Sequence, residues 1–423
     1  MNSGIKFCRS SIWSLAQDAE ADIQKILLAV RQRAELNHYK VLSAFREMEV
    51  SDYHFNETTG YGYGDIGRDL LDQLYARVFG AEAGLVRPQI VSGTHAIALC
   101  FYGVLRPGDE VLFATGQPYD TLSQVMGTKQ NGDGSLADWG ITSRVIPLNN
   151  EDKPDFSAIV KAITPATKMV AIQRSRGYSL RPSFSISDIE QLIGVVKQVK
   201  PGVTCFVDNC YGEFVENKEP SQVGADLVAG SLIKNPGGGI APAGGYIVGK
   251  ADLIQKIANR LTAPGLGTEL GCSLAGKRLY FQGLFLAPLV VAEALQGTVL
   301  TARLMSALGF KVTPHWEEER TDIIQAIIFG SRERLVAFCQ GLQKGSPVDS
   351  YITPEASPMP GYEDRVIMAG GTFIQGSSIE LSADGPLREP YVAYLQGGLA
   401  YPYIKAGLLT ALEHMAEQGL ISV

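Results

Sequence analysis

Hydrophobic residues recur at helical spacing near the start of the chain. Between about Ser14 and Met48, apolar side chains return every three or four positions, with charged residues between them. This spacing is typical of an amphipathic helix that buries one face. The pattern predicts one or two helices, which we interpret as an N-terminal helical arm over residues 1–60.

After Gly80 the pattern changes to short apolar runs that alternate with helical stretches. EVLFAT, VTCFVDN and GGYIVG are predicted strands, and SISDIEQLIGVVKQVK is a predicted helix. This alternation predicts an α/β fold with a mainly parallel sheet, covered by helices on both faces. We assign the large domain to residues 61–287 and a smaller α+β domain to residues 288–423, with GFKVTP, DIIQAIIFG and SSIELSAD as its strand candidates.

Composition and charge restrict the classes of partner. The 423-residue chain is 45% hydrophobic and 19% charged, which is ordinary for a globular protein. Its net charge of −7 argues against nucleic acid or an anionic membrane as the main partner. We expect neither a membrane span nor secretion, because the sequence has no long uninterrupted apolar run and no signal-peptide core. The six cysteines form no C-x-x-C pair, which favours buried thiols in a cytoplasmic protein.

The segment VSGTHAIA combines a turn with the start of a helix. Ser92, Gly93 and Thr94 follow a predicted strand, and the next residues have helical character. The N-terminus of a helix offers free N–H groups and a positive dipole end, which suit a phosphate. The alternative is an ordinary helix cap formed by Ser92 or Thr94.

Two charged residues follow apolar strands in the same part of the chain. Asp208 ends the strand of VTCFVDN, and Lys234 lies between the apolar run DLVAGSLI and a glycine-rich stretch. If the two strands are neighbours, both side chains emerge at the carboxyl edge of the sheet, where α/β proteins bind ligands. A buried carboxylate there requires a cation. The alternatives are a capping aspartate and a solvated lysine.

A phosphate cup, a strand-end aspartate and a strand-end lysine together predict a pyridoxal 5′-phosphate enzyme. In such a site the helix N-terminus binds the phosphate, Asp208 faces the pyridinium nitrogen, and Lys234 forms the Schiff base. The glycines beside Lys234 admit the cofactor ring and the substrate closely. We expect desolvation and the imine linkage to lower the pKa of Lys234 and so activate its amine.

Several motifs extend this pattern from about Thr58 to Tyr391. They are TTGYGYGDIGRD, VSGTHAIA, GQPYDTL, QRSRGYSLRPS, VDNCYGEF, GSLIKNPGGGIAPAGGYIVG and GSSIELSADGPLREPY. In these segments the chain resembles pyridoxal-phosphate enzymes of the aspartate aminotransferase-like fold, fold type I. Within them it is most similar to the methionine γ-lyase-like family, whose members are also labelled aluminium resistance proteins or cystathionine β-lyase family proteins.

The resemblance implies roles for three residues of the chain itself. Tyr119 in GQPYDTL would stack on the pyridine ring, the alternative being a packed loop tyrosine. Ser231 would reach the phosphate, although this chain has SLIK where better known members of the group carry S-x-T-K. Arg388 would clamp the substrate α-carboxylate, which a guanidinium pairs well, the alternative being a surface ion pair.

The resemblance also implies an active site shared between subunits. Tyr63 and Arg68 would contact the phosphate or substrate of a neighbouring subunit in a homodimer or homotetramer. The alternative is a local loop, with Arg68 in the first turn of a helix. GYGDIG fits G-x-G-x-x-G literally, but no apolar strand precedes it, so we do not interpret it as a dinucleotide site.

The sequence does not decide the roles of several other polar residues. Arg174, Arg176 or Tyr178 in the loop RSRGYSLRPS could face the phenolic oxygen of the cofactor, and the sequence does not choose among them. The five histidines do not cluster, and His95 is better explained by the phosphate cup than by a metal. We therefore expect no metal site.

These expectations combine into one functional hypothesis with two rivals. The chain is expected to be a carbon–sulfur lyase that acts on an amino acid by β- or γ-elimination. One rival is another pyridoxal-phosphate reaction, such as transamination, which uses the same apparatus. The other is a phosphate- or nucleotide-binding protein without this cofactor. Against it, the lysine of IKNPGGG precedes the glycines, the reverse of a phosphate loop.

Overall fold

The computed structural model describes residues 7–127, 133–274, 276–359 and 362–423. The chain divides into a large unit, Leu36–Ala287, and a terminal unit made of Met1–Glu35 and Pro288–Val423. Both divisions fall inside long helices, α1 (Ser10–Glu47) and α8 (Lys277–Ala307). The N-terminal pattern thus corresponds to one helix, and the predicted bounds of the three domains stay predictions.

A seven-stranded sheet forms the centre of the large unit. Its strands lie in the order β1-β7-β6-β5-β4-β2-β3. β7 is antiparallel to both of its neighbours, and the other pairs are parallel, which confirms the predicted mainly parallel sheet. The strands are β1 (Ala83–Arg87), β2 (Glu110–Phe113), β3 (Thr142–Val145), β4 (Thr167–Gln173), β5 (Thr204–Asp208), β6 (Leu227–Ser231) and β7 (Gly245–Gly249).

Helices follow the strands and supply the rest of the buried core. Alternate residues of the strands, such as Val111 and Phe113 of β2, pack with the helices α3 and α7 in one apolar cluster. A Cβ added at Gly103 of α3 would lie 2.9 Å from Ile257 of α7, so this glycine permits the two helices to pack closely. The helices are α2 (Ile66–Phe79), α3 (Gly93–Val104), α4 (Asp120–Met126), α5 (Phe156–Ala162), α6 (Ile186–Val199) and α7 (Ala251–Leu261).

The terminal unit contains a separate antiparallel sheet in the order β10-β11-β12-β9-β8. SSIELSAD was expected to be a strand, but β11 begins only at Ser382. The Glu380 carboxylate accepts hydrogen bonds from the N–H groups of Phe373 and Ile374, and so it holds the preceding segment as a loop. The elements are β8 (Lys311–Thr313), β9 (Ile324–Ile328), α9 (Arg332–Lys344), β10 (Val366–Ala369), β11 (Ser382–Pro386), β12 (Val392–Gln396) and α10 (Tyr401–Glu417).

Helix α8 is long and apolar enough to cross a bilayer by length and composition, and within the described residues it is the one helix that meets both criteria. Its most apolar stretch is 78% buried inside the protein. Such burial is what the core helix of a folded unit shows, because its apolar side chains already contact protein on most sides.

A buried ion pair fixes the glycine-rich segment that precedes α2. The Asp65 carboxylate accepts hydrogen bonds from Lys277, from the hydroxyls of Thr58 and Ser273, and from the N–H of Arg68. Asp65 is 1% exposed and Lys277 3% exposed. Burial alone would raise the pKa of Asp65, but these hydrogen bonds together hold it well below its usual range. The stability that they contribute is therefore present above about pH 4 and is lost as the pH falls further.

Removal of this carboxylate should strongly destabilise the large unit. We expect Asp65→Ala to lower the free energy of unfolding by about 3–5 kcal/mol, because Lys277 is left buried without its partner. Asp252→Ala, which breaks the exposed pair of Asp252 and Lys256 on α7, should cost at most about 1 kcal/mol. Urea unfolding at pH 7 measures both. Equal, small effects of the two substitutions would show that the Asp65 pair does not stabilise the fold.

Candidate functional site

The carboxyl end of β5 places Asp208 at the edge of the sheet. It is the last residue of the strand, and it is 6% exposed. Its Oδ1 atom accepts a hydrogen bond of 3.1 Å from the N–H of Cys210. Burial raises the pKa of Asp208, and the charge of Lys234 opposes this rise. A second cation in contact with this carboxylate would stabilise its ionised form.

Lys234 lies beyond the end of the neighbouring strand. β5 and β6 are paired in parallel, and the chain leaves β6 at Ser231, three residues before Lys234. Gly237 follows in a tight turn, where an added Cβ would collide with the carbonyl oxygen of Leu232. The glycine is therefore required for the turn that carries Lys234. As predicted, the two charged residues are on neighbouring strand ends.

The surroundings of Lys234 act on the pKa of its amine in opposite directions. Burial by itself lowers this pKa, whereas Cys210, Tyr211 and Asp208 outweigh the effect and raise the pKa well above its ordinary value. The predicted lowering depends also on the imine linkage to the cofactor, and so it stays a prediction.

Helix α3 begins beside the end of β6. The Ser92 side chain caps the helix by accepting a 3.0 Å hydrogen bond from the N–H of His95. A Cβ added at Gly93 would lie 3.3 Å from the Cβ of Ser231 and 3.4 Å from the Sγ of Cys210. As the first residues of the helix, Gly93 and Thr94 have N–H groups without intrahelical acceptors. The residues that cap the helix therefore also form a cradle suited to an anion.

Tyr119 joins this group from the start of α4. Its hydroxyl lies 3.0 Å from the Oγ1 of Thr94, and its N–H donates to the Oε1 of Gln173 over 3.0 Å. Burial, and next the charge of Asp208, raise the pKa of the Tyr119 phenol, whereas Lys234 acts in the opposite direction. The structure thus brings together residues of four separate segments, namely Ser92, Gly93, Thr94, Tyr119, Asp208, Ser231 and Lys234.

Tyr63 and Arg68 have different surroundings. Arg68 is in the first turn of α2 and is 4% exposed. Its guanidinium donates to the carbonyl oxygens of Gly62, Glu269 and Gly271. It also pairs with the carboxylate of Asp69. Tyr63 is exposed, with its ring 5.4 Å from that of Tyr61. The described contacts of Arg68 therefore hold its own chain together. Its predicted role toward a neighbouring subunit stays a prediction.

In the loop after β4, one of the three residues that could face the cofactor has a structural role. Arg174 is fully buried and donates to the Asn209 side chain, to the carbonyl oxygen of Gly212 and to Glu216. These hydrogen bonds stabilise the turn that follows β5. Arg176 is 3% exposed and Tyr178 is partly buried. Which of the three faces a cofactor stays open.

Arg388 belongs to the terminal unit. It follows β11, is about half exposed, and pairs with Asp364 over 3.2 Å. Its proposed contact with a substrate carboxylate stays a prediction. Among the described residues there is no group of three or more His, Cys, Asp or Glu side chains that could hold a metal ion.

The sequence interpretation missed Glu213. Its side chain is fully buried, and its Oε1 accepts a 2.8 Å hydrogen bond from the hydroxyl of Tyr246 on β7. The other oxygen, Oε2, is buried and has no hydrogen-bond partner among the residues that the structure describes. A Cβ added at Gly230 of β6 would lie 2.7 Å from Oε1, so this glycine leaves room for the pair. The available signal was the position of Glu213 in VDNCYGEF, five residues after Asp208.

Burial raises the pKa of Glu213 to about 8. An unfolded glutamate has a pKa of about 4.3, so between these values the folded protein binds more protons than the unfolded chain. The stabilisation is fully present below about pH 4 and is lost as the pH rises through 8. We expect Glu213→Gln, which is neutral at every pH, to unfold at a higher temperature than the wild type at pH 8.5, and the advantage to shrink toward pH 5.

The exposed Glu190 of α6 provides the control. Glu190→Gln should follow the wild-type dependence of melting temperature on pH. If Glu213→Gln also runs parallel to the wild type from pH 5 to 8.5, Glu213 does not take up a proton on folding.

Comparison with known proteins agrees with this geometry. The family described as methionine gamma-lyase matches residues 12–416. An uncharacterised protein of Bacillus subtilis is 53% identical over 407 residues, which cover 96% of this chain and 97% of the relative. A crystal structure from Clostridium novyi, described as a carbon–sulfur lyase involved in aluminium resistance, is 48% identical, has a TM-score of 0.93 and covers 97% of both chains.

A second crystal structure extends the comparison. A Listeria monocytogenes protein, provisionally named a cystathionine beta-lyase involved in aluminium resistance, is 52% identical with a TM-score of 0.93, over 95% of this chain and 99% of its own. The family match spans nearly the whole chain, and both the resemblance and the predicted fold are confirmed. The chain belongs to the methionine gamma-lyase family and has the fold of the fold type I pyridoxal-phosphate enzymes.

Proposed function

We propose that the protein is a pyridoxal-phosphate-dependent carbon–sulfur lyase that acts on a sulfur-containing amino acid by β- or γ-elimination. The observation that carries the proposal is the convergence of Asp208, Lys234 and the N-terminus of α3 at one edge of a parallel sheet. Membership of the methionine gamma-lyase family supports the cofactor and the class of reaction. The substrate and the position of the C–S bond belong to the proposal alone.

The residues present fit this cofactor. The N–H groups of Gly93 and Thr94, with the Ser231 hydroxyl, would hold its phosphate. The buried Asp208 carboxylate, whose pKa is raised by burial, gains from a protonated ring nitrogen. The Tyr119 ring would cover the pyridine face. Bound there, the cofactor supplies an electron sink for the negative charge that develops at the substrate α-carbon.

The protein groups then have distinct tasks. The Lys234 amine is the candidate base for the α-proton, since a strand end and a glycine turn fix its position. Asp208 keeps its negative charge against the ring nitrogen and does not exchange a proton with the substrate. The buried Tyr119 hydroxyl, beside Thr94, is a candidate donor to the leaving sulfur. Cleavage of the C–S bond releases a thiol, and hydrolysis of the remaining product by one water molecule gives an oxo acid and ammonia.

The assembly is part of the proposal. We expect a homodimer or homotetramer in which Tyr63 and Arg68 approach the site of a neighbouring subunit. Arg68 would have to share or exchange its present partners, the carbonyl oxygens of Gly62, Glu269 and Gly271, to do so. Arg388 is the candidate for the substrate carboxylate, provided that it leaves Asp364.

Loss of the charge on Asp208 should affect turnover more than folding. We expect Asp208→Asn to lower kcat by roughly 10²-fold or more while it retains some cofactor, because a neutral amide no longer stabilises the pyridinium proton. The control is Asp226→Asn, at the opposite end of β6, where the carboxylate pairs with Lys197 and Lys250. That variant should lose stability but keep kcat. Near-normal turnover of Asp208→Asn would show that Asp208 only caps the strand end and takes no part in the reaction.

The reaction itself is tested with sulfur amino acids. We expect thiol, ammonia and oxo acid in equal amounts. A three-carbon oxo acid from a substrate with sulfur on the β-carbon would indicate β-elimination. A four-carbon oxo acid from a substrate with sulfur on the γ-carbon would indicate γ-elimination. Exchange of oxo acids without release of thiol would identify a transaminase instead. A protein that stays colourless with added pyridoxal phosphate would exclude the cofactor and with it both reactions.

A further inference from the structure

Tyr211 has an unusual backbone conformation at the edge of the site. Its φ is 72°, in the left-handed region that a bulky side chain rarely adopts. Such a conformation costs free energy and persists only where the surroundings fix it. Tyr211 follows the end of β5 by three residues, directly after Cys210.

The surroundings do fix this turn. Asn209 donates its N–H to the carbonyl oxygen of Ala229 on β6 over 3.0 Å, and its side chain accepts from Arg174 over 2.8 Å. A Cβ added at Gly212 would lie 2.5 Å from the Arg174 side chain, so the backbone on the other side of Tyr211 packs against the same arginine. The backbone on both sides of Tyr211 is therefore held, which keeps Tyr211 in its left-handed conformation.

The turn aims the Tyr211 ring at Lys234. The Nζ of Lys234 lies 3.8 Å from the centroid of the ring, a close distance for a cation over an aromatic face. Away from water this interaction is stronger than at a surface. The ring therefore stabilises the charged, free form of the Lys234 amine.

We propose that Tyr211 is the positioning residue for Lys234, with its ring face holding the free ammonium between the steps in which the amine is bonded to the cofactor. The proposal rests on the proposed function for the role of Lys234, but the interaction itself does not require a cofactor. Released by an incoming amino acid as a neutral amine, Lys234 takes the α-proton, and the ammonium that results would stay over the ring instead of turning toward other anions. Tyr211 acts through the amine that its ring contacts.

Other charged and titratable groups also face the amine. Asp208 ends β5, Cys210 and Glu213 flank Tyr211 in the following turn, and Tyr119 begins α4. These groups act on Lys234 whether or not the ring is present. A change in the pKa of Lys234 that follows removal of the Tyr211 side chain, with these four groups retained, thus reports Tyr211, and comparison with Tyr211→Phe separates its ring from its hydroxyl.

The test measures the pKa of Lys234 in the full chain freed of cofactor. A small acylating reagent is applied over a pH series, and mass spectrometry quantifies the label on Lys234. We expect Tyr211→Leu to lower the pKa by about one unit or more, and Tyr211→Phe to leave it within a few tenths of the wild-type value, because phenylalanine keeps the ring. Since glycine adopts a φ of 72° without strain, Tyr211→Gly should fold and show the same fall.

Phe214 provides a matched control in the same turn. It also has a positive φ, 60°, and its ring lies 5.4 Å from the Nζ of Lys40. Phe214→Leu should leave the pKa of Lys234 unchanged. An unchanged pKa of Lys234 in both Tyr211→Leu and Tyr211→Gly would overturn the proposal. A fall in Tyr211→Phe as large as in Tyr211→Leu would also overturn it, because the effect would then belong to the hydroxyl. Failure of the proposed function would appear separately, as a wild-type protein that binds no pyridoxal phosphate.

Discussion

The site depends on two opposite charges placed at the ends of neighbouring central strands. β5 and β6 are buried at nearly every position, so Asp208 and Lys234 leave a rigid part of the sheet with little freedom to move. A buried carboxylate and a partly buried amine each lose hydration, and each is stabilised by the other. The rest of the site is arranged around this pair: the N-terminus of α3, the Tyr119 hydroxyl beside Thr94, and the Tyr211 ring beside Lys234.

Close backbone packing makes this arrangement possible. Gly93 allows α3 to approach the end of β6, and Gly237 allows the turn that carries Lys234. Gly230 leaves room for the Glu213 carboxyl and the Tyr246 hydroxyl under the strand. Larger side chains at these positions would meet Ser231, Leu232 or Glu213. These three glycines thus act by admitting neighbours, which is a property of the fold rather than of the local chain.

Much of this could be predicted from the sequence because it rests on local patterns. Strand periodicity and the order of elements predict the parallel sheet, and the ends of the apolar runs locate Asp208 and Lys234. The contacts of Arg68 could not be predicted in this way, since its partners at Glu269 and Gly271 are about two hundred positions away. Nor could the left-handed turn at Tyr211, because Arg174 from the end of β4 fixes it through contacts with Asn209 and Gly212. Local rules do not contain such tertiary constraints.

The central claim is that Lys234 is the residue that bonds to pyridoxal phosphate. The direct measurement is borohydride reduction of the protein with bound cofactor, followed by digestion and mass spectrometry of the peptides. We expect the pyridoxyl group on Lys234. A pyridoxyl group on another lysine, with Lys234 unmodified, would contradict it.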